Sequence, residues 1–261
     1  MHKSIIQVSE DFWNIRGSFR IGGVVDIGTQ ASLVRLANGN FLFLDSCRLN
    51  DRQGADLERL AAERGGDIEA ILNLHPFHTV HVTSMHERFP RARLHGTSRH
   101  RQRFPDLPWE PLCTEDPKLH KKYAGDFTFT IPEGVDFISA NDNIHFSSVL
   151  ALHRSSGTLH VDDTLMYIVL PRVLRLVGVK DTLGFHPTLS MALQKRPGAA
   201  AEFRRWAEQL VEDCGEVRNL CAAHSAALLA RDNRGATIQA RVAKALKKCR
   251  IRLRAHERRY G

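Results

Sequence analysis

The chain has 261 residues, 43% of them apolar and 25% charged, a balance that excludes wholesale disorder and fits a globular protein with a sizeable core. Its five cysteines, Cys47, Cys113, Cys214, Cys221 and Cys249, are odd in number and contain no Cys-x-x-Cys pair, which argues against a disulfide framework or a zinc knuckle. The net charge of +8 is local: residues 241–261 hold nine Lys or Arg against Glu257 alone, and the rest balances at 28 basic (37 less 9) and 28 acidic (29 less 1) groups.

Residues 1–10 lack the apolar core of a signal peptide, and the apolar stretch 165–179 is too short to span a bilayer and is broken by Pro171, Arg172 and Arg175. The expectation is a cytoplasmic protein with no membrane partner. One domain covering 1–261 is expected, with a basic C-terminal helix or tail from about residue 241. There is no internal repeat and no low-complexity segment.

The chain opens with β-type runs at 12–16, 19–21, 24–27 and 32–36, and Asn38-Gly39 then marks a hairpin into the run 41–44. Asp45 follows that run, where a carboxylate either caps the next turn or supports a site from behind. A helix is expected over 56–64, stopped by Gly65-Gly66, and leads into a buried strand at 71–74. That strand ends at His75, His78 and His81, three imidazoles spaced three apart.

Next come a helix over 79–88, a strand over 91–95 and a helix opened by Thr97-Ser98 as caps. The alternation points to an α/β layer arrangement. Six arginines lie between Arg88 and Arg103; they read either as solvated helix faces or as a face for an anionic substrate. Three prolines in 104–111 rule out regular structure there. A second set of strands is expected at 127–131, 135–139, 147–152 and 158–161, with a turn at Arg154-Ser155-Ser156-Gly157. The last of these ends at Asp162-Asp163, a carboxylate pair suited to metal binding or acid and base work, or else to opening an apolar helix at Leu165. An amphipathic helix over 199–213, a strand over 219–223 closing at His224-Ser225, and a helix over 237–248 with the basic tail complete the chain.

Neutral imidazole nitrogens are good ligands for zinc, iron or manganese, and three of them at a strand exit can face one point if the backbone turns there. The same three residues also fit a cap, a core residue and a solvated side chain, and with 14 histidines some clustering arises by chance.

Asp45 at one strand end, His75, His78 and His81 at another, His145 before a strand, Asp163 after the next and His224 after the last follow an order. It resembles the five motifs of the metallo-β-lactamase fold, a four-layer α/β/β/α sandwich with metals where two sheets meet. The resemblance runs from about Ser32 to Lys248. Within that superfamily, segments 151–163 and 91–96 resemble the divergent DUF4336 branch. The chain departs from the second motif, His-x-His-x-Asp-His: with His78 and His81 on its second and last histidines, Pro76 replaces the first, His75 stands one residue early and Val80 replaces the aspartate. His145 is about one residue out of register with the third motif.

The resemblance implies one metal held by His75, His78, His145 and Asp163, with His81 and His224 nearby and Asp45 in support. The metal implied is zinc, alternatively iron or manganese, or none if the motifs are relics. The expected activity is metal-dependent hydrolysis of a small-molecule substrate of unspecified class, and the alternative is a degenerate member acting as a binding or scaffold protein. A third reading gives the tail to nucleic acid, against a solvated helix whose side-chain stems pack on the body. Nothing in the sequence specifies an oligomeric state.

Overall fold

Phe41, Leu42, Phe43 and Leu44 are all fully buried, yet they belong to two different cores. Phe41 and Phe43 pack among one set of side chains and Leu42 and Leu44 among another, as the two-residue period of a strand covered on both faces requires. That strand lies in the middle of the molecule. The computed structural model describes residues 2, 4–18, 20–21, 25–26, 28–169, 181–223, 226–233 and 235–261.

The first sheet has the order β1 (Ile5–Ser9), β2 (Phe12–Gly17), β5 (Thr29–Arg35), β6 (Phe41–Leu44), β7 (Ile68–Leu72) and β8 (Arg93–His95). Strands β1, β2, β5 and β6 pair antiparallel, and β6, β7 and β8 pair parallel. A parallel pair needs a crossover. Helices α1 (Asp51–Glu63) and α2 (Val82–Arg88) supply the two crossovers. Helix α1 starts five residues before the expected position 56, because Asn50 and Gln53 form a reciprocal capping box.

The second sheet has the order β15 (Ala227–Leu228), β14 (Asn219–Ala222), β11 (Thr158–Val161), β10 (Leu150–His153) and β9 (Phe127–Thr130). A two-stranded ribbon, β3 (Arg20–Ile21) with β4 (Val25–Asp26), accounts for part of the expected runs at 19–21 and 24–27; Phe19, Val24 and Ile27 lie outside the described residues.

Three apolar clusters define the layers. One joins Trp13, Leu33, Phe43 and Ile71 to Leu57 of α1 and Met85 of α2. The second lies between the sheets, with Val34, Leu42 and Leu72 against Phe127, Ala151 and Cys221. The third joins Leu159, Val161 and Leu220 to Leu189, Phe203, Leu210 and Val242 of the later helices. Short helices α3 (Ser98–Arg103), α4 (Pro117–Lys122) and α5 (Leu189–Ala192) fill the connections, and α6 (Ala199–Asp213) packs along α7 (Ile238–Tyr260) on the far side. The arrangement is the expected α/β/β/α sandwich.

Two local expectations need correction. The apolar run from Leu165 is a strand, β12 (Leu165–Ile168), hydrogen-bonded to β13 (Thr182–Phe185); an apolar run that short cannot be told from a buried helix by periodicity. Segment 135–139 forms no strand; Val135 makes only an isolated bridge to Leu193. The basic tail continues the last helix to Tyr260, with Val242, Ala245, Cys249 and Leu253 buried and the intervening cations outside. Among the described residues no helix is long and apolar enough to cross a membrane.

Candidate metal centre

The centre lies where β6, β7 and β11 end, between the two sheets. At the end of β6, Asp45 adopts φ +61°, a left-handed conformation that aspartate tolerates better than most side chains. Its backbone N–H donates to Leu72 O at 2.8 Å and its Oδ1 accepts from Leu74 N at 2.7 Å. Asp45 thereby fixes the exit of β7.

Beyond β7 the backbone turns at once. His78 N donates to His75 O at 3.1 Å, and the two rings stack with centroids 4.1 Å apart. The spacing of three works here because the segment is a turn and not an extended strand, in which residues three apart would face opposite ways.

From the second sheet, β11 delivers Asp163 to these imidazoles: its Oδ2 lies 3.4 Å from His75 Nε2 and 3.6 Å from His78 Nε2. His78 Nδ1 lies 3.7 Å from Asp162 Oδ1. Behind this group, His160 Nε2 lies 2.9 Å from Asp45 Oδ2, and His160 Nδ1 lies 3.0 Å from Ser32 Oγ. His75, Asp163 and one ligand atom of His78 form one compact donor group, and Asp45, His160 and Asp162 form another.

Burial sets the electrostatics. It works against the Asp45 charge, but the hydrogen bond and charge of His160 outweigh it and hold the Asp45 carboxyl below the usual carboxylate range. Asp162 is pushed well up, by burial first and then by the neighbouring Asp45 and Asp163 charges. His75 is held well below the usual imidazole range by burial and by His78. For His78 burial acts downward, but Asp163 outweighs it and the ring is raised.

Of the residues expected at the site, His75, His78 and Asp163 come together, with Asp45 behind them. His81 does not join them. It stands at the N-cap of α2 and lines a separate cleft of about 500 Å³ with Cys47, Arg48 and Met85, because the turn that unites His75 and His78 ends before it. His145 lies beside the group without entering the compact donor set: its ring is 6.1 Å from that of His75 and stacks on Phe77 at 4.7 Å, and its Nε2 bonds to Asp142 O. His224 lies outside the described residues. Three of the six arginines between Arg88 and Arg103 form ion pairs within the chain, Arg88 with Glu58, Arg93 with Glu69 and Arg99 with Asp142, and Arg101 donates to Pro111 O.

Sequence reading gave no site role to His160 and treated Asp162 only as half of a pair. A signal for His160 was present: in Thr158-Leu159-His160-Val161 the polar residues alternate with apolar ones, so the strand turns a histidine toward the inter-sheet face.

The donor set fits a divalent metal. Imidazoles and carboxylates suit zinc, iron or manganese, and His75 Nε2 and both Asp162 oxygens are buried without a hydrogen-bond partner, a costly condition for polar atoms unless something binds them.

The sequence matches no protein-family model and no curated protein. Solved structures do match. A metallo-β-lactamase from Erythrobacter litoralis, with β-mercaptoethanol in its active site, aligns at TM-score 0.59 and 11% identity over 95% of this chain and 98% of that one. The DIM-1 metallo-β-lactamase aligns at TM-score 0.57 and 13% identity over 94% and 97%. FIM-1 from Pseudomonas aeruginosa, solved in its mono-zinc form, aligns at 0.55 and 10% over 94% of both chains. At such identities the shared property is the fold.

Proposed function

We propose that this chain, built on the metallo-β-lactamase fold, is a metal-dependent hydrolase-like protein whose metal is held by His75, His78 and Asp163. The observation that carries the reading is the convergence of these three side chains, from strand ends in different sheets, on one largely buried point. Zinc is the first candidate, with iron and manganese as alternatives. A bound cation of this kind supplies a water of lowered pKa and a Lewis acid for a substrate oxygen.

The chain's own residues do the positioning. Asp163 sets a negative charge against both imidazoles, and Asp45 pins the β7 exit through the Leu74 N–H. No carboxylate stands at the position of Val80, which is 67% exposed, so the reading assigns no general base. Segments 151–163 and 91–96 support placement in the DUF4336-like branch, and five cysteines without a disulfide support a reducing, cytoplasmic setting. The substrate proposed is a small molecule.

The test is elemental analysis of protein purified without added metal. At least about one equivalent of zinc, iron or manganese is expected, with the count falling in Asp163→Ala. A metal-free wild type sinks the reading.

One observation favours the non-catalytic alternative. Phe77 N–H donates to His75 Nδ1 at 3.1 Å, so the neutral ring carries its proton on Nε2, the nitrogen that faces Asp163. A metal-ligating imidazole has the reverse arrangement, with its other nitrogen donating to an acceptor. On that reading the protein is a scaffold whose imidazoles are held by hydrogen bonds, and the same metal analysis separates the two.

A further inference from the structure

His160 has the environment that His75 lacks. Its Nδ1 faces Ser32 Oγ at 3.0 Å, and that oxygen also receives the Asn14 Nδ2–H at 3.1 Å. A hydroxyl oxygen fixed in this way can accept a hydrogen bond from Nδ1, the arrangement that orients a histidine as a metal ligand, and a cation entering the site displaces the proton through which Nε2 bonds to Asp45. Nε2 then meets Asp45 Oδ2 at 2.9 Å, and the carboxylate of Asp162 completes a compact group of three donors.

Asp162 is the independent pointer. Its side chain is 1% exposed and neither oxygen has a hydrogen-bond partner. The Gln30 amide and the Asp45 carboxyl lie against Asp162, but the strong donors nearby are committed to other acceptors. Gln30 Nε2 donates to Val161 O and Cys221 O, and the Arg16 guanidinium donates to Gln30 Oε1 and to the carbonyls of Ala222 and Ala223. A buried carboxylate left this way beside two others, Asp45 and Asp163, requires a positive charge or a proton between the groups.

We propose that Asp45, His160 and Asp162 form a second divalent-cation site, buried behind the first. The site takes a transition metal such as zinc or manganese, since it joins two hard carboxylate donors to one borderline imidazole. His78 joins the two groups, with Nδ1 3.7 Å from Asp162 Oδ1 and Nε2 3.6 Å from Asp163 Oδ2. At 24% exposure it is also the side from which an ion enters. The second carboxylate thus comes from the β11 exit, on the opposite sheet from the Val80 position where the motif would carry one. The inference extends the metal reading of the preceding subsection.

The experiment is crystallography of the full chain loaded with Zn²⁺, using anomalous scattering at the zinc edge, together with metal counts for wild type and Asp162→Asn. Two interior peaks are expected, one among His75, His78 and Asp163 and one among Asp45, His160 and Asp162, with the count falling by one in Asp162→Asn. A single peak in the first group, or a count unchanged by Asp162→Asn, overturns this site and leaves the first standing; the carboxylates then share a proton. A single peak in the second group supports this site and overturns the first, and no interior peak overturns both. Should Asp162→Asn fail to fold by circular dichroism, the peak positions in wild type decide alone.

Discussion

His153 shows how a buried imidazole away from the centre shapes stability. It packs against Phe12 and Phe127 between the sheets, with Nδ1 2.9 Å from Ser156 Oγ, and burial lowers its pKa from the usual 6.5 to about 4. Between those values the unfolded chain binds a proton that the folded chain refuses, so stability falls as pH drops from 6.5 to 4. The loss amounts to about 3 kcal/mol at most for a shift of this size. His153→Gln should therefore be less stable than wild type at pH 7 but lose less between pH 7 and pH 4.5, as measured by urea unfolding. Equal losses in the two proteins would remove His153 as a cause. At this scale residue type was legible and aim was not. The sequence placed His75, His78 and His81 in one motif, but a turn closed by the His78 N–H to His75 O bond brings two rings together and leaves the third on α2. His145 stands beside His75 with ring centroids 6.1 Å apart, but its orientation is set by a stack on Phe77 and a carbonyl in its own loop, contacts that no spacing rule contains.

Elements were readable where their ends carry chemistry. Thr97 caps α3 as expected, through His100, and Asn38-Gly39 turns β5 into β6 with Gly39 at φ +90°. They were misread where only a short apolar run was available, as at Leu165, whose strand exists because β13, seventeen residues downstream of it, pairs with it. Helix α7 was expected as a basic helix or tail from about residue 241, and it runs unbroken to Tyr260. Its apolar residues Val242, Ala245, Cys249 and Leu253 recur at helical spacing and are buried with the α6 side chains Phe203, Ala207 and Leu210. Glu257 also pairs with Arg204 of α6 at 2.6 Å. Truncation after Ala240 should expose that core face. Fully burying a Val or Leu side chain is worth about 1.5–3 kcal/mol, so the loss is several kcal/mol and a fall of roughly 10 °C or more in melting temperature. A truncated chain that melts within about 2 °C of wild type would show that the helix is not part of the core. The cations of 241–261 are therefore the outer face of a structural helix.

Across the whole molecule, the two sheets meet on an apolar seam that also contains a polar stripe, Asn14, Gln30, Ser32 and His160, leading to the buried carboxylates Asp45, Asp162 and Asp163. Ions that bind only the folded arrangement stabilise it by mass action. Adding Zn²⁺ to chelator-treated protein should raise the melting temperature progressively with concentration, and Asp163→Ala should blunt the rise; a melting temperature indifferent to Zn²⁺ would count against binding at the seam. The α/β character was legible because each strand's alternation and each helix's period is local information repeated along the chain, while the four-layer sandwich came from the resemblance carried by the order of the motifs. The composition of the centre was decided by the tertiary structure alone. His75, Asp45 and Asp163 come from loops more than 25 residues apart in sequence, and which atoms face one another depends on the register between sheets and on the dihedral angles of two turns. A one-residue change in either redirects a side chain to the opposite face. For that reason the sequence specified that imidazoles and carboxylates stand at strand exits, while packing selected His78 over His81 and His145 and brought in His160 and Asp162.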